Sequence, residues 1–297
     1  MILYYFFRSV EYILFLLPRP WRKAFFLGLA KLAYAVDRKH RLVVRQNLLF
    51  AYDKAIDETR IDRITRYCYR NLMLNFFQVL ENRRLTPEEQ SKYVTFENRE
   101  YVDDARKAGR PVIIVSAHFG NWELGATAIA ANVVPLTSIH KALSNPWFNR
   151  YLLESRSRYR MDMVEKSGAV KYLTRTLRNG GSVSLMIDQN INPKESVIVD
   201  FFGHQVTQTS APAFLARKFN AVIVPVFIHT ADEKHYTLRF ETPLEVRQTD
   251  DAAADVLAVT QALSDVVEAL IRQEPEFWFW CHRRWKTFYP EIYGREP

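Results

Sequence analysis

The stretch Val112-Ile113-Ile114-Val115-Ser116-Ala117-His118-Phe119-Gly120-Asn121-Trp122-Glu123 decides how this 297-residue chain is read. Its four leading residues form a short, continuous apolar run after Gly109-Arg110-Pro111, the pattern of a strand buried on both faces of a parallel sheet. Gly120 allows the chain to turn tightly, and Asn121 is suited to cap a following helix. In open α/β sheets the ligand crevice lies beyond the carboxyl ends of the strands, and His118 falls there. Glu123, near the start of the helix, is spaced to face back toward His118. A histidine held by a carboxylate is what a general base requires, because the carboxylate fixes the tautomer and stabilises the imidazolium.

The surrounding sequence alternates in the same way. Similar apolar runs recur at Val183–Ile187 and Val222–Ile228, with weaker ones at Leu136–Ile139, Val197–Phe202 and Tyr236–Phe240. Helical patterns lie between them at Asn121–Ala131, Pro146–Tyr159, Val170–Leu177, Ala211–Phe219 and Ala252–Arg272. Upstream, Ile61, Ile64, Cys68, Leu72, Phe76, Val79 and Leu80 recur at three- and four-residue steps, predicting an amphipathic helix over 57–82. Thr86-Pro87-Glu88-Glu89 starts another. The expected fold is α/β, a mixed and mainly parallel sheet flanked by helices.

The first residues read differently. Fourteen of the seventeen residues in Met1–Leu17 are apolar, the exceptions being Arg8, Ser9 and Glu11. Pro18-Arg19-Pro20 breaks the run and a second apolar stretch spans Ala24 to Val36. A spanning helix needs about 20 apolar residues, and neither run reaches that without a charge. A signal peptide fits poorly, since no basic region precedes the apolar one. The expectation is an uncleaved hydrophobic anchor over residues 1–36, either a marginal span or a helix lying in the interface, followed by one domain over 37–297. Arg19, Arg22, Lys23, Arg38, Lys39, Arg41 and Arg45 would face anionic headgroups and keep this flank cytoplasmic.

The net charge of +8 is uneven: residues 1–50 carry +7 and 137–180 carry +6, while 181–297 carry −5. Basic residues joined to an apolar anchor, without a recognised reading motif, argue against nucleic acid and for a membrane surface and an acidic or phosphorylated substrate. Two cysteines, Cys68 and Cys281, supply neither a disulfide framework nor a metal knuckle. No metal is expected, because no His-rich or paired-carboxylate set has ligand spacing. Ser116 lacks the Gly-x-Ser-x-Gly elbow of a nucleophile, so direct attack by an acceptor hydroxyl deprotonated by His118 is the expected chemistry.

Ala117-His118-Phe119-Gly120-Asn121-Trp122-Glu123 resembles the His-x4-Asp/Glu block of the lysophospholipid acyltransferase superfamily, and within it the bacterial lipid A late (secondary) acyltransferases of lauroyl/myristoyl type. Arg45-Gln46-Asn47-Leu48 resembles that branch's Arg-x-Asn-Leu element. Gly180-Gly181-Ser182-Val183 with Asp188-Gln189-Asn190 resembles its Gly-x-Val strand ending in Asp-Gln. Val199-Asp200-Phe201-Phe202-Gly203 resembles its Phe-Phe-Gly turn. Pro275-Glu276 followed by Trp280-Cys281-His282-Arg283-Arg284-Trp285-Lys286 resembles its C-terminal signature.

The resemblance implies a glycerolipid-acyltransferase-like fold. It also implies transfer of a fatty acyl group from the phosphopantetheine thioester of acyl carrier protein, with no separate cofactor. The acceptor would be a hydroxyl of a Kdo-bearing, phosphorylated lipid A precursor, in lipopolysaccharide biosynthesis at the cytoplasmic face of the bacterial inner membrane, among its phospholipids. His118, Glu123 and Arg156 become the catalytic set, with Arg156 binding phosphate or steadying the oxyanion and Arg158 as its alternative. Asn121, Arg158, Asp188, Gln189, Arg283 and Arg284 become substrate-binding residues. Two other readings stand beside this one: another glycolipid or lysophospholipid as acceptor, such as a phosphatidylinositol mannoside, and a non-catalytic membrane-surface scaffold.

Overall fold

The computed structural model describes residues 2–294; Met1 and residues 295–297, at the ends of the two expected segments, lie outside it. Four helices come first: α1 (Ile2–Leu16), α2 (Arg19–Val36), α3 (Arg38–Ala51) and α4 (Glu58–Glu81). After the short α5 (Pro87–Ser91) the chain alternates through β1 (Val94–Glu97), α6 (Glu100–Lys107), β2 (Val112–Ser116), α7 (Trp122–Asn132), β3 (Leu136–His140), α8 (Pro146–Ser157), β4 (Met161–Glu165), α9 (Ala169–Arg178) and β5 (Ser182–Met186). It ends with β6 (Val197–Phe201), β7 (His204–Gln208), α10 (Ala211–Phe219), β8 (Val222–His229), β9 (Tyr236–Phe240) and α11 (Ala252–Gln273).

Seven strands form one sheet in the order β1-β9-β8-β2-β5-β3-β4. All neighbours are parallel except β8 and β9, so the sheet is mixed and mainly parallel, as expected. Strand β2, apolar from Val112 to Val115, sits in the middle, flanked by β5 and β8. Its alternating sides feed two cores. Ile113 and Val115 join Leu173, Phe201 and Trp278 on one face, while Val112 and Ile114 join Leu124, Ile129 and Leu238 on the other. Burying such side chains contributes roughly 1.5–3 kcal/mol each.

The 197–202 run leaves this sheet. As β6 it pairs antiparallel with β7 in a two-stranded hairpin through the turn Phe202-Gly203, where both residues have positive φ. Strands β1 and β4 have apolar residues interrupted by polar ones, and helices α3 and α6 are dense in charged residues, so none of them announces itself in the sequence.

No described helix is long and apolar enough to cross a membrane, and the expected N-terminal anchor is not confirmed. Helix α1 has 15 residues, and α2 buries Phe26 and Ala30. The cations expected at headgroups turn inward in part: Arg19 and Arg22 pair with the buried Glu81 at 3.2 and 2.8 Å, and Lys23 with Glu233 at 3.3 Å. A buried carboxylate needs such partners, and this need outcompetes the solvated alternative. Tyr5, Phe6, Tyr12, Ile13, Leu16 and Trp21 remain exposed.

Candidate active site

The register of two parallel strands builds the centre of the site. Val115 lies opposite Leu185 and Ser116 opposite Met186. Two residues further along each strand, His118 meets Asp188. The carboxylate accepts from the His118 ring at Nδ1 (2.9 Å) and, through its other oxygen, from the His118 main-chain N–H (2.9 Å). The indole Nε1 of Trp278 donates to that second oxygen at 2.8 Å. Asp188 is 4% exposed. Burial alone would raise its pKa, but the His118 charge and these hydrogen bonds hold it well below the usual carboxylate range.

With Nδ1 committed to Asp188, Nε2 is the imidazole nitrogen free to take a proton. Burial works to lower the His118 pKa, yet the charge and hydrogen bond of Asp188, aided by the Glu123 charge, raise it above 6.5 overall. The side chain of Gln189 comes within 3.4 Å of Nε2. Trp122 meets the imidazole edge-on at 5.3 Å and Phe279 lies 6.3 Å away.

Several backbone groups immobilise the loop that carries His118. Phe119 bridges to Trp278, the Gly120 N–H donates to the Phe277 carbonyl at 2.9 Å, and the Phe279 N–H donates to the His118 carbonyl at 2.9 Å. Gly120 has φ +56°, and a Cβ there would sit 2.5 Å from the Ile228 carbonyl oxygen. Only glycine fits such a position without displacing the backbone. Asn75 of α4 accepts from the Glu123 N–H at 3.0 Å and donates to the Gly120 carbonyl at 3.0 Å. Sequence reasoning missed Asn75. Its signal is the row of amides Asn71, Asn75 and Gln78 that α4 buries on one face.

Glu123 does not contact the His118 ring as its spacing suggested. That place belongs to Asp188, because strand pairing brings Asp188 alongside whereas Glu123 is turned to α8. There Arg156 donates from Nε and Nη2 to the two Glu123 oxygens at 3.1 and 2.5 Å. This two-point pair is largely buried, with side-chain exposures of 9% for Glu123 and 18% for Arg156. Of the two arginines considered, Arg156 therefore stands at the site, while Arg158 ends α8 on the exposed side.

The remaining predicted residues divide. Gln189 reaches His118, as above. Asn121 is buried as the cap of α7, its side chain accepting from the Leu124 N–H at 3.1 Å, which makes it a scaffold residue rather than a substrate contact. Arg284 is also corrected. It is fully buried and donates to the Gln189 and Thr207 carbonyls at 2.9 and 2.7 Å and to Gln208 Oε1 at 2.8 Å. An arginine with that many internal acceptors is a strut behind Gln189. Arg283 lies against the Tyr293 ring, 5.5 Å from its centroid.

A narrow cavity of about 40 Å³ runs between the end of β2 and α7, lined by Ile114, Ser116, Trp122, Gly125, Ile129 and Met186 among others. Trp122 is shared with the His118 surroundings, so this apolar space begins beside the imidazole. A larger hollow of about 270 Å³ lies apart, among α2, α3 and α4. Its arginines are partly engaged, Arg41 with the Tyr34 carbonyl and Arg45 with Glu58, and none of the His118 neighbours lines it. Among the described residues, no group of three or more His, Cys, Asp or Glu is arranged to hold a metal.

A family model described as bacterial lipid A biosynthesis acyltransferase matches residues 2–287 of the chain. The protein belongs to this family. The lipid A biosynthesis lauroyltransferase of Escherichia coli (strain K12) is 24% identical over 286 residues, covering 94% of this acyltransferase and 90% of the relative. The lipid A biosynthesis palmitoleoyltransferase of the same organism is 25% identical over 198 residues, covering 66% and 62% of the two chains. A phosphatidylinositol mannoside acyltransferase from Mycolicibacterium smegmatis is 26% identical over 185 residues, covering 61% and 59%.

Proposed function

We propose that this acyltransferase performs a late acylation of lipid A, moving a fatty acyl group from an acyl carrier protein thioester to a hydroxyl of a Kdo-bearing lipid A precursor. His118 Nε2 takes the proton of the acceptor hydroxyl as its oxygen attacks the thioester carbonyl. The C–S bond then breaks, and the phosphopantetheine thiolate leaves and recovers the proton from the imidazolium. Asp188 holds the tautomer and stabilises the positive ring. Arg156 spends Nε and Nη2 on Glu123, which leaves Nη1 to donate to the oxyanion or to an acceptor phosphate. Glu123 thus acts on the reaction by holding Arg156.

The observation that carries this reading is the pairing of the buried Asp188 carboxylate with the part-exposed His118 at the strand ends, beside an apolar cavity, in a chain of this family. The exposed apolar residues of α1 and α2 suit a helix pair lying in the interface at the cytoplasmic face of the inner membrane, among anionic phospholipids. No cofactor beyond the carrier's own arm enters the scheme.

The test is to incubate the purified protein with acyl carrier protein thioesters of graded chain length and a tetra-acylated lipid A precursor, and to weigh the products. A mass increase of one acyl group supports the assignment; no increase at any length overturns it. The mycobacterial relatives favour including a phosphatidylinositol mannoside as a second acceptor. Acylation of that acceptor alone would keep the chemistry and change the substrate.

A further inference from the structure

Glu11 is the one acid in the apolar run Met1–Leu17, and α1 buries it to 5% exposure. A helix that served as an anchor alone gains nothing from a buried carboxylate, which is costly to desolvate. Here every partner of the group is defined. Its Oε1 accepts from the Tyr151 hydroxyl at 2.8 Å and lies 3.6 Å from Arg83 Nε, and its Oε2 pairs with Arg8 Nε at 3.0 Å. Arg83 in turn lies over the Tyr151 ring at 4.3 Å and donates to Glu154 at 2.9 Å.

Tyr151 and Glu154 both belong to α8, the helix that carries Arg156. Along the same helix Tyr4 stacks on Trp147 at 5.6 Å, and Phe7 meets Phe148 and Tyr151 at 5.2 and 5.0 Å. Just beyond the helix the Tyr159 hydroxyl is shared between the carbonyls of Asn82, which caps α4, and Leu85 in the loop after it, at 3.2 and 2.8 Å. Arg156 therefore sits between two fastened tyrosines, one tied to α1 and one to α4. Apolar contacts alone would let α1 slide along α8, whereas a buried hydrogen bond and ion pairs fix its register.

We propose that Glu11 is a positioning residue for acyl transfer: through Tyr151 and Arg83 it sets α8, and through α8 it sets the Arg156 guanidinium. The inference rests on the role given to Arg156 above. It makes α1 part of the catalytic framework as well as a surface for lipid.

The experiment measures steady-state kinetics of the full-length protein in detergent micelles for Glu11→Ala, Glu11→Gln, Arg156→Ala and the double variant Glu11→Ala/Arg156→Ala. Misplacing a reacting group by about an ångström costs up to about 100-fold, so Glu11→Ala is expected to lose roughly 10- to 100-fold in kcat. Glu11→Gln, which keeps an acceptor for Tyr151, recovers part of that loss. In the Arg156→Ala background the Glu11→Ala change costs less than about twofold, because coupled residues are not additive. Binding to phosphatidylglycerol/phosphatidylethanolamine vesicles stays at the wild-type level. Should Glu11→Ala fail to fold, Tyr151→Phe carries the same comparison.

Losses that multiply in the double variant, or that track a loss of vesicle binding, overturn the proposal while leaving Arg156 in place. A wild-type rate for Arg156→Ala alone removes the assignment of Arg156, and the proposal with it.

Discussion

The carboxylate of Asp188 holds His118 twice, at the ring Nδ1 and at the main-chain N–H, both at 2.9 Å. One group thereby fixes the tautomer of the imidazole and the position of the loop bearing it. Replacing Asp188 by Asn keeps the size but removes the charge and leaves the ring in the wrong tautomer. The corresponding change in a serine-protease triad costs about 10⁴ in kcat, and a loss of roughly 10²–10⁴ is expected for Asp188→Asn. Single-turnover rates measured with saturating acyl donor check it. A rate within about threefold of wild type would assign the holding role elsewhere.

The pH profile follows from the same pair. The proposed base would work as neutral imidazole; against burial and the Arg156 charge, Asp188 and Glu123 raise its pKa above 6.5. His282, the nearby second imidazole, is pushed down to about 4 by burial and stays neutral. The kcat/KM profile is therefore expected to fall on the acid side with a midpoint above 6.5, and Asp188→Asn is expected to move it lower. For stability the signs oppose. The raised His118 pKa stabilises the fold at low pH and loses that contribution as pH rises through it. The depressed Asp188 pKa stabilises above the ordinary value of 3.8 and loses its contribution on acidification. A midpoint below 6.5 in the wild-type profile would contradict the assigned environment.

The Glu123–Arg156 pair predicts a second pattern. Its two-point geometry is specific to guanidinium, so Arg156→Lys is expected to rescue little of the activity lost in Arg156→Ala. Glu123→Gln and Arg156→Ala together are expected to cost little more than either alone, since each removes the same arrangement. Initial rates of the three variants and the double variant decide this, and multiplicative losses would mean that Glu123 has a role apart from Arg156.

Arg284 is expected to behave as a stability residue. Arg284→Ala leaves the Gln189 and Thr207 carbonyls and the Gln208 side chain without their buried donor. At about 1–3 kcal/mol for each unsatisfied group, partly relieved by water, a loss of roughly 3 kcal/mol or more is expected. Urea unfolding measures it. An unchanged midpoint together with a raised KM for the acceptor would restore Arg284 to the substrate.

The strand Val112–Ser116, the turn at Gly120 and the helix after Asn121 are legible because each depends on neighbours in sequence. The alternation of runs gives the sheet, and the position of His118 at a strand end points to the candidate site. Its partner is hidden, since which strand lies beside β2 is a tertiary choice, and His118 and Asp188 are 70 residues apart. Glu123 is the nearer candidate in sequence, but the helix directs it to Arg156. The same limit hides Cys68 and Cys281, whose sulfurs come within 3.5 Å across 213 positions. It also hides Arg284, whose burial arises from the β6–β7 hairpin folding over the C-terminal segment.

The proposed acyl transfer depends on His118 as the base that deprotonates the acceptor. Its most direct test is the turnover of His118→Ala, followed by product mass with carrier-bound acyl donor and lipid A precursor, alongside circular dichroism to establish that the variant folds. The prediction is a folded protein whose kcat falls by about 10²–10⁴, the range typical of a lost general base. A folded His118→Ala protein that turns over at close to the wild-type rate would contradict it.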